Sequence, residues 1–130
     1  MPPGSLTATK RSVLVVDDEQ GFLDLYVYVL EPMGLEVICA KNGKEAVEKF
    51  KDRSFDLVLM DVHMPEMTGP EAFKEMKKIQ PSQKIIIFSS SSDPDCKMEN
   101  EAIKDGALKC LYKPVSFDEL ERVMRQVLPS

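Results

Sequence analysis

The run Leu57-Val58-Leu59-Met60-Asp61-Val62-His63-Met64-Pro65-Glu66-Met67-Thr68-Gly69 decides how this chain folds. Four apolar residues end in one carboxylate, and a turn-forming stretch follows. Continuous rather than alternating apolar character implies a strand buried on both faces, as in a parallel sheet. Asp61 then stands at the carboxyl end of a buried strand, where open α/β sheets place their sites. Three other polar sites end apolar runs in the same way: the Asp17-Asp18 pair, Ser89 and Lys113.

Working outward, four more short apolar segments read as strands: Val13–Val16, Leu35–Cys39, Ile85–Phe88 and Ala107–Tyr112, beside Leu57–Met60. Helical periods separate them. Phe22, Leu25, Tyr26, Val29, Leu30 and Met33 form an i, i+3, i+4, i+7 stripe that Pro32 and Gly34 end. Asn42 caps a helix with Glu45 at its third position, Thr68-Gly69-Pro70-Glu71 is a capping box, and Ser116-Phe117-Asp118-Glu119 repeats the device. The helix that would start at Asp93-Pro94 is the weakest, since Met98, Ala102 and Ile103 make only a thin stripe.

Strands alternating with helices five times predict a doubly wound, flavodoxin-like (βα)5 sandwich with a parallel sheet of order 2-1-3-4-5. Strands one and three are then neighbours at the switch point. Asp17, Asp18 and Asp61 meet in one crevice, with Ser89 and Lys113 on the flanking strands.

A chain of 130 residues suits one domain. Residues 1–11, with Pro2-Pro3-Gly4-Ser5, read as a loose tail or expression remnant, and 12–130 as the domain. The net charge of −5 and scattered lysines argue against direct nucleic-acid binding. No apolar stretch reaches transmembrane length and no signal-like h-region is present, so no membrane insertion and a cytoplasmic location are expected. Cys39, Cys96 and Cys110 lack zinc or redox spacing and read as reduced thiols, Cys39 and Cys110 as buried strand-end residues. No effector domain fits after Leu128-Pro129-Ser130, so the chain reads as a stand-alone or an excised domain.

Three crowded carboxylates repel, and a divalent cation relieves them. Hard oxygen ligands with retained waters point to Mg2+. With Lys113 the set becomes neutral and presents positive charge to an arriving phosphoryl group. Asp61 can attack phosphorus, Lys113 and the cation can neutralise its oxygens, and the Ser89 hydroxyl can donate to them. A carboxylate is already ionised at neutral pH, so no general base is required.

From about Ser12 to Leu128 the chain resembles a response-regulator receiver domain of two-component signalling. The resemblance rests on Asp17-Asp18, on the Asp61-to-Gly69 string with Met64-Pro65 and Met67, on Ser89 and on Lys113-Pro114. It implies that Asp61 is the phosphoacceptor for a sensor histidine kinase or phosphotransfer protein. Asp18, Asp61 and the His63 carbonyl would ligate Mg2+ directly, with Asp17 acting through water. Lys113 would bind the phosphoryl group through a loop with a cis Lys113-Pro114 bond, and Ser89 would be the switch hydroxyl. An output protein would read the surface of the fourth helix, fifth strand and fifth helix. Self-phosphorylation and autodephosphorylation would be the only chemistry, so the chain is not an enzyme acting on outside substrates.

Two departures stand out. Ser89 opens a run of four serines, of which it alone follows the strand directly. Cys110 occupies the position three before the lysine where the family usually has an aromatic switch, and Tyr112 shares its facing. Tyr112 reads as a core residue ahead of a replacement switch, and His63 as an exposed loop residue whose ring is not a ligand. The alternative function is a phosphorylation-independent pseudo-receiver acting as a protein interaction module.

Overall fold

The computed structural model describes residues 11–61, 69–90 and 106–128. Five strands form one sheet: β1 (Ser12–Val16), β2 (Glu36–Ala40), β3 (Leu57–Asp61), β4 (Ile85–Ser90) and β5 (Lys109–Lys113). Their order is β2-β1-β3-β4-β5, and every pairing is parallel. Four helices belong to the described residues: α1 (Gln20–Leu30), α2 (Gly43–Asp52), α3 (Gly69–Ile79) and α4 (Phe117–Val127). This is the doubly wound sheet expected. The helix expected after Asp93-Pro94 lies outside the described residues, so the last helix is α4 here.

Side-chain alternation along the strands splits the apolar residues into two cores. Val13, Val15, Leu57, Leu59, Ile86, Phe88 and Leu111 pack under α1 and α4, against Leu23, Tyr26, Leu30, Leu120, Val123 and Met124. Leu14, Val16, Val58, Met60, Ile85 and Ile87 pack under α2 and α3, against Ala46, Val47, Phe50, Ala72, Phe73 and Met76. Because both faces are covered, the strands carry apolar residues at consecutive positions.

The helix starts follow from local chemistry. Asn42 Oδ1 accepts the Glu45 N–H (2.7 Å), and the Glu45 carboxylate accepts the Lys41 N–H (2.6 Å). Ser116 Oγ accepts the Glu119 N–H (3.1 Å). These bonds satisfy backbone donors that have no partner within the helix. Helix α3 begins at Gly69 with Pro70 next, where a missing N–H costs nothing; Thr68 of the expected capping box lies outside the described residues. After α1, a single 3-10 turn, Glu31–Met33, ends at Gly34, whose φ of +85° only glycine adopts without strain.

Three expectations need correction. The buried stripe of α1 is centred on Leu23, Tyr26 and Leu30, while Phe22, Leu25 and Val29 are only half-buried. The fifth strand begins at Lys109: Ala107 is buried but precedes the ladder, following a turn at Gly106 (φ +109°). Cys39 and Cys110 are half-buried rather than buried, because β2 and β5 are the sheet's outer strands. Four strand spacings separate those two strands, roughly 19 Å, far beyond disulfide reach. Cys96 lies outside the described residues.

At the β2 edge, the Ala40 carbonyl accepts from Asp17 N–H on the β1 side, so the Cys39 carbonyl points outward, where the Lys49 ammonium donates to it. Among the described residues, no helix is long and apolar enough to cross a membrane.

Candidate functional site

The carboxyl ends of β1, β3 and β5 meet through one ammonium group. Lys113 Nζ extends past the end of β4 to donate to Asp17 Oδ2 (2.7 Å) and Asp61 Oδ2 (3.1 Å). Asp17 has no exposed surface, Asp61 almost none, and only 12% of the Lys113 side chain reaches solvent. Asp17 also supports the start of α1. Its Oδ1 accepts the Glu19 N–H (3.0 Å), where the N-cap residue Glu19 itself makes no side-chain cap. The Phe22 ring, one turn into α1, lies against the ammonium with its centroid 4.0 Å from Nζ. A cation over an aromatic face gains electrostatically, most where water is excluded.

Both partners of the Asp17–Lys113 pair shift upward, with opposite meanings. Burial raises the Asp17 carboxyl, and the Lys113 and Glu19 donors offset this only in part. Burial pushes Lys113 downward, but the Asp17 hydrogen bond and the Asp61 charge outweigh it, so its pKa rises. The ammonium is therefore firmly charged, whereas the fully dehydrated Asp17 is under-compensated, since one cation serves two carboxylates.

Oxygen atoms of Asp17, Asp18 and Glu19 lie within 4.8 Å of one another, with Asp18 and Glu19 exposed at the mouth. A hard, all-oxygen, anionic donor set of this kind fits a divalent cation such as Mg2+. Glu19 stands beside the expected Asp17 and Asp18, and Asp61 Oδ2 accepts from Lys113. His63 lies outside the described residues. The Lys113-Pro114 peptide is cis, in agreement with the resemblance.

Ser89 is completely buried, and its hydroxyl has no hydrogen-bond partner among the described residues, so it bonds neither Asp61 nor Lys113. It continues the β4 row of Ile85 and Ile87 toward α2 and α3. Its register partner on β5 is Tyr112, which is half-buried rather than a core residue because β5 is an edge strand.

Sequence reasoning thus finds Asp17, Asp18, Asp61 and Lys113 together, and Ser89 beside them but unengaged. The third consecutive acid, Glu19, lies beside Asp17 and Asp18 and is not singled out. The same reasoning treats Phe22 and Tyr26 as ordinary core residues. Tyr26 is buried, its ring stacks on Phe88 (5.3 Å between centroids), and its hydroxyl has no partner among the described residues. Burial, and then the charges of Asp17, Asp61 and Glu19, hold its phenol far above its ordinary pKa.

Comparison with known proteins agrees with this fold. Residues 13–125 match the family described as the response regulator receiver domain. The transcriptional regulatory protein ZraR of Klebsiella oxytoca is 40% identical over 123 residues, which are 95% of this chain and 27% of that protein. The chain therefore spans about a quarter of that relative's length. The chemotaxis protein CheY of Thermotoga maritima is 39% identical over 118 residues, 90% of this chain and 97% of the relative. The solved structure of Vibrio cholerae CheY4 superposes with a TM-score of 0.84 at 30% identity, covering 92% of this chain and all of that one.

Proposed function

The chain belongs to the response regulator receiver domain family of two-component signalling, and we propose that Asp61 is the phosphoacceptor through which it switches a protein-binding surface. The observation that carries this reading is the Lys113 ammonium held between Asp17 and Asp61. Such an arrangement supports phosphoryl transfer, because a loose transition state needs charge on its oxygens more than it needs a base.

In the proposed reaction, an Asp61 carboxylate oxygen attacks phosphorus of a phosphohistidine on a sensor kinase or phosphotransfer protein. The new O–P bond forms as the N–P bond breaks, and its electron pair returns to the imidazole nitrogen. A carboxylate nucleophile needs no general base. Lys113 turns from pairing two carboxylates to neutralising phosphoryl oxygen. Ser89 supplies a hydroxyl with no competing bond to break, so its rotation toward the phosphoryl group loses nothing in the resting state. Asp17, Asp18 and Asp61, with the His63 carbonyl, would hold Mg2+, which would supply further positive charge to the transferred group. Hydrolysis of the resulting acyl phosphate by water resets the domain.

The partners proposed are the phosphoryl donor and an output protein that reads the face beside β5. The reaction is self-modification in the cytoplasm rather than turnover of an outside substrate. The test is to incubate the protein with Mg2+ and acetyl phosphate and compare intact masses of wild type and Asp61→Asn. Wild type should gain one phosphoryl group and the variant none. No gain in wild type would replace this reading with a phosphorylation-independent interaction module, and an equal gain in the variant would move the phosphosite.

A further inference from the structure

The outward face of α1 and α4 carries apolar surface that the fold does not bury. Tyr28 is 69% exposed and Phe117 52%, and their rings meet across the two helices (5.7 Å between centroids). Single exposed apolar side chains are ordinary, but a contiguous patch with a polar rim marks a contact surface. The pair adjoins two grooves that share Val29, Pro32 and Glu121, one lined by Phe117 and the other by Met33 and Leu128. On the α4 side the lining residues Phe117, Glu121, Met124 and Leu128 follow at three- and four-residue intervals. The groove therefore runs along that helix for roughly 16 Å, at 1.5 Å per residue.

The rim decides the occupant. Glu31, Asp118 and Glu121 line it with three carboxylates, and Arg125, the one cation among the described lining residues, is already paired with Glu121 (3.3 Å). Among the described residues Glu31 and Asp118 make no ion pair. A second copy of this chain would set acids against acids across an isologous interface. An anionic lipid surface would meet the same repulsion. A groove between two helices, apolar inside and acidic at its rim, suits a helix of the opposite pattern. We propose that α1 and α4 form a docking groove for an amphipathic helix of a partner protein, whose apolar stripe covers Tyr28 and Phe117 and whose flanking lysines or arginines face Glu31, Asp118 and Glu121. Phe22, which touches Lys113, precedes Tyr28 by six residues, about 9 Å along the helix axis. From Tyr28 the groove leads away from that end, past Pro32 to Leu35, just before β2 begins. The partner therefore holds the domain from the side and leaves Asp61 open, with or without a phosphoryl group.

The test titrates the domain with a synthetic peptide of about 15 residues, long enough to be helical, with leucines along one stripe and lysines on its flanks. Amide NMR shifts should change along α1 from Val27 to Met33 and along α4, and not at β3. Tyr28→Ala and Phe117→Ala should fold, because both rings lie at the surface. Each should weaken binding about tenfold, the scale of one aromatic anchor. Glu31→Gln with Glu121→Gln should weaken it too and flatten its salt dependence. Adding Mg2+ and beryllofluoride, a phosphoryl mimic, should leave the affinity unchanged. Equal binding by the alanine variants, or by a peptide with its leucines and lysines scrambled, overturns the groove. Self-association of wild type in sedimentation, lost in Phe117→Ala, overturns the helical partner in favour of a second copy. Tighter binding to phosphatidylglycerol vesicles than to the peptide overturns it in favour of a lipid surface. Peptide binding seen only with beryllofluoride overturns docking that is indifferent to Asp61.

Discussion

Ser89 and Tyr112 are register partners across β4 and β5, so their side chains leave the sheet on the same face. A buried hydroxyl with no bond thus has a half-buried phenol as its lateral neighbour, on the strand that also carries Lys113. Cys110, one step back in the same row, is too short to report on Ser89. With tyrosines replaced by 3-fluorotyrosine, the Tyr112 fluorine resonance should shift when Mg2+ and beryllofluoride are added. Ser89→Ala should still bind beryllofluoride but lose most of that shift. Its resting stability should stay level or rise by up to about 1 kcal/mol, because an unsatisfied hydroxyl is gone. A full shift in Ser89→Ala would assign the switch elsewhere.

Removing the ammonium exposes what it holds together. Lys113→Met leaves a fully buried Asp17 next to Asp61 with no cation between them. Urea unfolding at neutral pH should show a loss of about 3 kcal/mol, the scale for breaking one side of a buried pair. Adding Asp17→Asn should restore most of it. A double variant no more stable than Lys113→Met would show that lost packing against Phe22 is responsible instead.

The Cys39 thiol is pushed up by burial, with the nearby Lys49 ammonium offsetting this only in part. A thiol raised in the fold contributes stability below its ordinary pKa and loses it as pH rises through the higher folded value. In a Cys96→Ser, Cys110→Ser background, iodoacetamide at mildly alkaline pH should modify Cys39 more slowly than a small free thiol. Urea should restore the ordinary rate. Equal rates in folded and unfolded protein would contradict the burial.

Asn42→Ala deletes the side-chain cap of α2 while sparing the bond from Lys41 N–H to Glu45. Stability should fall by about 1 kcal/mol in a urea titration. Beryllofluoride affinity should not change, because α2 contributes no residue to the acidic pocket. A loss of affinity would tie this helix to the site.

Most of the fold could be read from the chain because its strands are covered on both faces. Such strands appear as unbroken apolar runs, and the polar residue ending each run marks the sheet's carboxyl edge. That logic reaches Asp17, Asp61, Ser89 and Lys113 without any structure. It fails for Phe22 and Tyr26 for a physical reason. A helical stripe shows which residues face the sheet, but not whether they cover its middle or the end that carries the charges. The proximity of Glu19 to Asp17 and Asp18 was not legible either, since an acid before a helix reads equally well as helix-start chemistry. Half-burial of Cys39, Cys110 and Tyr112 depends on which strands lie outermost, and hydrophobicity alone does not record that.

The Lys49 ammonium on the outward carbonyl of Cys39 bears on crowding. An uncovered outer strand is a template on which a second chain can add its own strand. A side chain from the next helix occupies one of the acceptors such an intruder would need, and it places a positive charge on the same edge. On that side the sheet is discouraged from growing beyond five strands. That edge offers one fewer free acceptor for backbone pairing along β2.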